Sequence, residues 1–198
     1  LIKYGDKLGT ALIEHLVLVG ITLIISLFMA AVLTLVAMRS KLISKLLVYT
    51  FSVVYSVPSL ALFAILIPVT GLGKVTAIVV LVLYNQYLLL RNFIAGLNEV
   101  DASIIESAMG MGMTDTQILM KIRIPLSKRA IFTGIHLAIV STIGIATIAA
   151  SINAGGLGTI LFDGLRTMNV NKIVWGSILA AGLAVSANYL LSKIEKAL

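Results

Sequence analysis

Ser103-Ile104-Ile105-Glu106-Ser107-Ala108-Met109-Gly110-Met111-Gly112-Met113-Thr114-Asp115-Thr116-Gln117, continuing to Ile122-Arg123-Ile124-Pro125, is the stretch that decides the fold. Ser103 and Thr114 are each followed three positions later by a reciprocating side chain, Glu106 and Gln117, the capping-box pattern of a helix start. Gly110 and Gly112 lie between the two. The pattern predicts two short helices joined at a flexible corner, the second stopped by Pro125, because the residue before a proline disfavours α geometry. Ile104, Ile105, Ala108, Met109, Met111 and Met113 make the first helix too apolar to lie free in water. It rests on a lipid interface, packs under its own bundle, or docks on a partner. Methionines at 109, 111, 113 and 120 suit an adaptable protein surface, and Glu106 reads equally as a capping acid.

Outward from this segment the chain is a series of apolar runs. Of its 198 residues 60% are hydrophobic and 12% charged, against about 25% charged in a soluble domain, so a bilayer is the expected solvent. A span needs about 20 apolar residues. Charge-free stretches run Leu16 to Met38, Leu46 to Gly73, Val75 to Leu90, Ala130 to Phe162 and Ile173 to Ser192. They predict five transmembrane helices at about 16–38, 46–70, 75–90, 130–152 and 173–192, with 91–129 as the largest soluble piece. The third is short, and the fourth run leaves its helix at Gly155, Gly156 and Gly158.

The net charge of +7 comes from clusters between apolar runs, without the aromatic interleaving of a nucleic-acid surface. Arg39, Lys41, Lys45, Arg91, Lys121, Arg123, Lys128, Arg129, Lys193 and Lys196 fall on one side of the membrane; Lys3, Lys7, Lys74, Arg166 and Lys172 fall on the other. The positive-inside rule makes the first side cytoplasmic, with the N-terminus outside and the C-terminus inside. The chain has no cysteine, which removes thiolate metal sites and cysteine nucleophiles. It also lacks a G-x-x-x-x-G-K-[S/T] phosphate loop.

Glu106-Ser107-Ala108, Gly112, Ile122 and Pro125 resemble the EAA loop of ABC importer permeases, E-A-A, three residues, G, nine residues, I-x-L-P. The spacing matches throughout; Ser107 replaces the second-position alanine, and Ile124 the leucine before the proline. The resemblance implies a single all-α permease domain over 1–198 of the type I importer architecture, five spans with a cytoplasmic coupling-helix loop. It implies that Glu106 and Gly112 shape the turn docking on an ATPase subunit, with Ile122 and Pro125 anchoring the loop to the fourth span. It also implies a multi-pass protein of the bacterial inner membrane, paired with a second permease copy or a paralogue. The resemblance further implies that ATP and Mg reside in a partner ATPase dimer, with neither cofactor nor metal in this chain. Solute arrives from an extracytoplasmic binding protein, or from a binding domain fused beyond residue 198.

Val57-Pro58-Ser59-Leu60-Ala61-Leu62, the Ile67-Pro68 pair with Gly71-Leu72-Gly73, Leu90-Arg91-Asn92 and Ala154-Gly155-Gly156-Leu157-Gly158 are similar to osmoprotectant permeases for glycine betaine, carnitine and choline; the last segment is also similar to methionine permeases. A trimethylated histidine-type betaine is a further alternative substrate. Pro58 removes a backbone hydrogen bond and kinks its span, as a packing kink or a gating hinge, with Ser56 and Ser59 available to the freed groups. Gly155, Gly156 and Gly158 form either an external re-entrant turn near the outward gate or a plain helix end. Tyr84, Asn85, Gln86 and Tyr87 put polar groups inside the third span, lining a cavity or bonding helices together. Tyr84 and Tyr87 are the aromatic faces placed for a quaternary ammonium. His136 reads as a satisfied bundle residue, His15 as a boundary residue, and Asp163 with Arg166 as a local pair. An ion-coupled transporter is disfavoured because the spans lack paired acids and an inverted repeat. An intramembrane enzyme lacks a His/Asp/Glu cluster.

Overall fold

The computed structural model describes residues 2–197, with side chains over 6–195. Lys3 and Lys196 of the charge tally, and any domain beyond residue 198, lie outside the described side chains. Ten α-helices follow in order: α1 Ile2–Ala37, α2 Lys41–Ser56, α3 Ser59–Thr70, α4 Lys74–Asn98, α5 Ala102–Gly110, α6 Asp115–Ile118, α7 Ile124–Leu126, α8 Lys128–Ile148, α9 Gly158–Arg166 and α10 Val170–Ala197. A π-turn, Leu119–Arg123, joins α6 to α7, and a 3-10 turn, Ala149–Ile152, closes α8. Among the described residues, four helices are each long and apolar enough to cross a membrane alone, and the α2–α3 pair makes a fifth crossing if counted as one span.

α1 is apolar nearly all round, so its packing face is chosen by size. Ala11, His15, Leu18, Val19, Thr22, Ser26, Ala30, Thr34 and Ala37 are buried at three- and four-residue spacing, while Ile24 and Phe28 point outward. Small and polar residues inside with large apolar ones outside is the arrangement of helices packed in lipid, where no hydrophobic force drives association and close approach does. α4 is the central helix, packed against α1, α2, α3 and α8. Leu18, Phe63, Val80, Leu81, Ile143 and Ala146 build the larger cluster near one end, and Ala37, Leu90 and Ile94 a smaller one near the other.

The second and third spans differ from the sequence expectation. The second span is two helices bent by 100° at Val57 and Pro58: Val57 is extended (φ −71, ψ 130), as is usual before a proline, and α3 starts afresh at Ser59. The third span is a full 25-residue helix, continuing through Arg91, whose exposed side chain can reach water from a helix that does not end. The soluble loop consequently begins near residue 99 rather than 91. The fourth run leaves its helix where the glycines predict: Asn153 is left-handed at φ 63, followed by Gly155 and Gly156 at φ 83 and 82.

Candidate functional site

The loop between α4 and α8 is organised by local caps. α5 is capped by Asp101, whose Oδ1 accepts the Ser103 backbone N–H at 2.8 Å; that bond holds the Asp101 carboxyl below the usual carboxylate range. The predicted Ser103–Glu106 box does not form, and the N-cap lies two residues earlier, at Asp101. Ser103 lies inside the helix, and its carbonyl accepts the Ser107 hydroxyl at 2.7 Å. α5 ends in a Schellman motif, with Met113 N–H on Ala108 O at 3.1 Å and Gly112 N–H on Met109 O at 2.9 Å. The motif requires a left-handed residue at Gly112, whose φ is 82. The second box forms as expected: Gln117 N–H donates to Thr114 Oγ1, and Gln117 Oε1 accepts from Thr114 N–H at 2.9 Å.

Pro125 does not stop the second helix. A proline inside a helix clashes with the carbonyl four residues earlier. Here the turn before it widens to π geometry, Ile124 N–H reaching Leu119 O, and the chain stays helical through Pro125 to Leu126, with a turn at Ser127 leading into α8. The loop is tied to its bundle by Arg123 Nη1 donating to Leu97 O at 3.0 Å and Ser127 Oγ donating to Gly96 O at 2.7 Å. Ala108 and Ile118 are buried, and Ile122 is half-buried. Glu106, Gly112 and Pro125 are exposed, as are Ile104, Met109, Met111 and Met120. The first helix thus presents an acid and several soft apolar side chains outward.

At the α2–α3 break, Tyr84 donates its hydroxyl to the Val57 carbonyl, an acceptor that an unbroken helix would satisfy itself; Ser56 Oγ donates instead to Val53 O. Tyr55 packs edge-on to Tyr84 with ring centroids 5.5 Å apart and tilted against Tyr87 at 5.0 Å. Asn85 bridges three helices, its Nδ2 donating to Ser26 Oγ at 3.1 Å on α1 and to Thr142 Oγ1 at 2.9 Å on α8. Gln86 donates to the Ser26 carbonyl at 3.2 Å. Of the two uses open to these polar groups, Asn85 and Gln86 serve helix–helix bonding here.

At the opposite end, Glu14 accepts the Gly156 N–H at 3.1 Å and His15, wholly buried, lies against the same turn. A β-carbon on Gly155 would meet the Glu14 carboxylate at 2.6 Å, one on Gly156 the His15 ring at 2.9 Å, and one on Gly158 the Thr147 carbonyl. Asp163 pairs with Arg166 at 3.1 Å, as expected, and also with Lys172 at 2.6 Å. Lys172 and then Arg166 hold its carboxyl below the usual range. His136 meets Asn188 across α8 and α10. Tyr55, Glu14, Ser26 and Thr142 escaped sequence reasoning, and His15, read as a boundary residue, is instead fully buried against the glycine turn. The one available signal was the row of polar and small residues at four- and seven-residue spacing on α1.

Residues 12–197 match the family described as binding-protein-dependent transport system inner membrane component. The chain belongs to this family. It is the permease component of an ABC importer, a multi-pass inner-membrane protein that works with a separate ATPase and is not itself one. The permease is 36% identical over 96% of its length to the carnitine transport permease protein OpuCB of Listeria monocytogenes, covering 88% of that protein. It is 33% identical over 98% of its length to the choline transport system permease protein OpuBB of Bacillus subtilis, covering 89% of it. It is also 37% identical over 71% of its length to the ergothioneine transport permease/ergothioneine binding protein EgtU of Helicobacter pylori, covering 26% of that longer protein. Its fold matches a solved inward-facing MetNI methionine ABC transporter with a TM-score of 0.88 at 18% identity, covering 96% of this chain and 95% of the other.

Proposed function

We propose that this permease imports osmoprotectants of the quaternary ammonium class, the glycine betaine, carnitine and choline group, by alternating access driven by its partner ATPase. The observation that carries the proposal is similarity along nearly the whole chain to permeases named for carnitine and choline. Two permease copies, or this chain with a paralogue, enclose the route, because five crossings give too little wall for an organic solute. The solute comes from an extracytoplasmic binding protein or fused domain. The N-terminus lies outside and the C-terminus in the cytoplasm, following the Lys/Arg tally.

In this scheme α5 inserts into the ATPase, with Glu106, Ser107, Ala108 and Gly112 shaping the docked turn and Ile122 and Pro125 passing its displacement to α8. Capped helices suit this role, since coupling needs a rigid piece whose position differs between two global states. Closure of the ATPase pair on ATP and Mg pulls the loop. The 100° break at Pro58 gives the bundle a hinge, and the turn at Gly155, Gly156 and Gly158 borders the outward gate. Tyr87, half-buried on α4, flanks the route, with Tyr84 and Asn85 buried behind it on their own hydrogen bonds. A trimethylated histidine-type betaine is the second reading, favoured by the ergothioneine relative.

The test is ATP-driven uptake by the importer reconstituted with its ATPase and receptor. Labelled glycine betaine, carnitine and choline are expected to accumulate and methionine is not. Accumulation of methionine alone, or of ergothioneine alone, sinks the osmoprotectant assignment.

A further inference from the structure

We propose that Tyr55, Tyr87 and Arg91 form a solute-contact site that sorts quaternary ammonium compounds by whether they also carry a carboxylate. The proposal rests on the substrate class given above and goes beyond it in naming which chemistry within that class is preferred and which residues decide.

A shallow, mainly apolar groove of about 840 Å³ runs between α2 and α4, lined by Leu42, Leu46, Val48 and Tyr49 on α2 with Lys45 nearby, and by Tyr87 and Arg91 on α4. Tyr87 and Arg91 are four residues apart on α4, so they share a face. The Arg91 guanidinium lies 5.8 Å from the Tyr87 ring centroid, and its Nη1 donates to the Tyr87 hydroxyl at 2.9 Å. The ring therefore already engages a cation, supplied by the protein. Tyr55 on α2 does not line the groove itself but packs against Tyr87, placing a second partly exposed ring beside it. Tyr84 contributes differently: it is 3% exposed, with its hydroxyl on Val57, and it backs Tyr55 rather than facing the groove.

A trimethylammonium group is poorly hydrated and binds an aromatic face through the ring quadrupole. The exposed Arg91 loses little by leaving Tyr87, because water solvates the released guanidinium. Once displaced, that guanidinium remains within one side-chain length of the solute. A solute carrying a carboxylate, such as glycine betaine or carnitine, then gives it a forked, charge-assisted partner. Choline offers only a hydroxyl and leaves two cations side by side. The site thus favours zwitterions over simple cations. A phosphatidylcholine headgroup pairs the same quaternary ammonium with an anion, so lipid and transported solute must be separated experimentally.

The complete importer, with its ATPase and receptor, is reconstituted in phosphatidylethanolamine and phosphatidylglycerol vesicles without choline lipid. Uptake of carnitine, glycine betaine and choline is measured in competition, and each variant's ratios are divided by those of the unmodified importer with the same receptor, so receptor preference cancels. R91Q is expected to shift the carnitine-to-choline ratio about tenfold toward choline, the size of a lost charge-assisted bond, and R91K less. Y87L is expected to lower uptake of all three about threefold, the size of a lost cation–π contact. An R91Q ratio that stays unchanged while all three solutes fall together, with R91K behaving the same way, overturns the proposal and leaves Arg91 as a boundary clasp. An R91Q ratio change that appears only after phosphatidylcholine is added assigns the groove to lipid and also overturns it. An unmodified importer that takes up none of the three but accumulates methionine refutes the proposed substrate class itself, a result distinguishable from either of those.

Discussion

The loop at 99–127 and the turn at 153–158 both depend on glycine, for different reasons. Gly112 at φ 82 has nothing within 4 Å of where a β-carbon would lie, whereas Gly155 and Gly156, at φ 83 and 82, sit against Glu14 and His15. The loop glycine answers only to the backbone turn of a Schellman motif. The turn glycines answer to the backbone and to the approach of α1, a contact spanning 142 residues of sequence. A segment ordered mainly by bonds to its own near neighbours can move as one rigid piece. A turn locked onto a distant helix moves only with that helix. The first suits a coupling element and the second suits a joint between spans.

Substitution at the turn is expected to have the largest effect. Gly158→Ala drives a methyl into the Thr147 carbonyl, a backbone atom that cannot swing aside, and should cost roughly 3 kcal/mol or prevent folding. Thermal unfolding and the yield of monodisperse protein in detergent measure this, and a stable, fully folded variant would break the contrast. Gly112→Ala meets no atom and carries only the left-handed penalty, about 1–2 kcal/mol. The variant should fold while its transport per ATP hydrolysed drops. Gly112→Asn, which tolerates that backbone better, should recover most of the loss. Thr114→Ala removes one side of the capping box and should cost about 1 kcal/mol, read as earlier local opening of 114–118 by hydrogen exchange with little change at the turn.

Glu106→Lys sharpens the comparison from another direction. The side chain is exposed, so the melting temperature should stay within the range of surface changes, while co-purification with the ATPase or coupled transport falls. An intact complex with normal transport would remove Glu106 from the docking turn. The smallest effect concerns Asp163. Its carboxyl titrates below the usual range because Lys172 and Arg166 favour its charged form, so the pairing is complete above the unfolded carboxylate value and is lost as pH falls through the folded one. Because the group is solvent-exposed, a slight acid-side loss of thermal stability is expected, and Asp163→Asn should abolish its pH dependence.

Features built from neighbouring residues were legible in the sequence. The Thr114–Gln117 box and the glycine exit from the fourth run depend on side chains within a few positions, and both form as expected. The first cap was misplaced because Asp101 and Ser103 both offer an oxygen at a helix start, and the pattern alone does not rank them; in the folded chain Asp101 accepts the Ser103 N–H. Pro125 was read as a stop because a proline forbids an ordinary α turn, but a π-turn leaves room for its ring. The third span was cut at Arg91 by a charge that an exposed side chain carries without ending the helix.

The partners of the polar residues were not legible. Asn85 announced itself as costly inside a span, but Ser26 and Thr142 lie on helices far away in sequence. Tyr55 joins Tyr84 and Tyr87 because α2 packs along α4, a pairing the sequence does not announce.

By itself the sequence determined a multi-span membrane protein and a capped loop with the spacing of an importer permease, and its Lys and Arg distribution set an expectation for sidedness. Those properties follow from lipid solubility, the distribution of Lys and Arg, and short-range backbone bonding, all readable along one line of residues. Tertiary structure alone decided that α4 is central, that Glu14 and His15 hold the glycine turn, that the tyrosines gather at the break, and that Arg91 lies over Tyr87. In lipid every helix is apolar all round, so hydrophobic periodicity does not identify the buried face. Side-chain size and the few polar groups needing partners choose it, and those choices exist only once the helices meet.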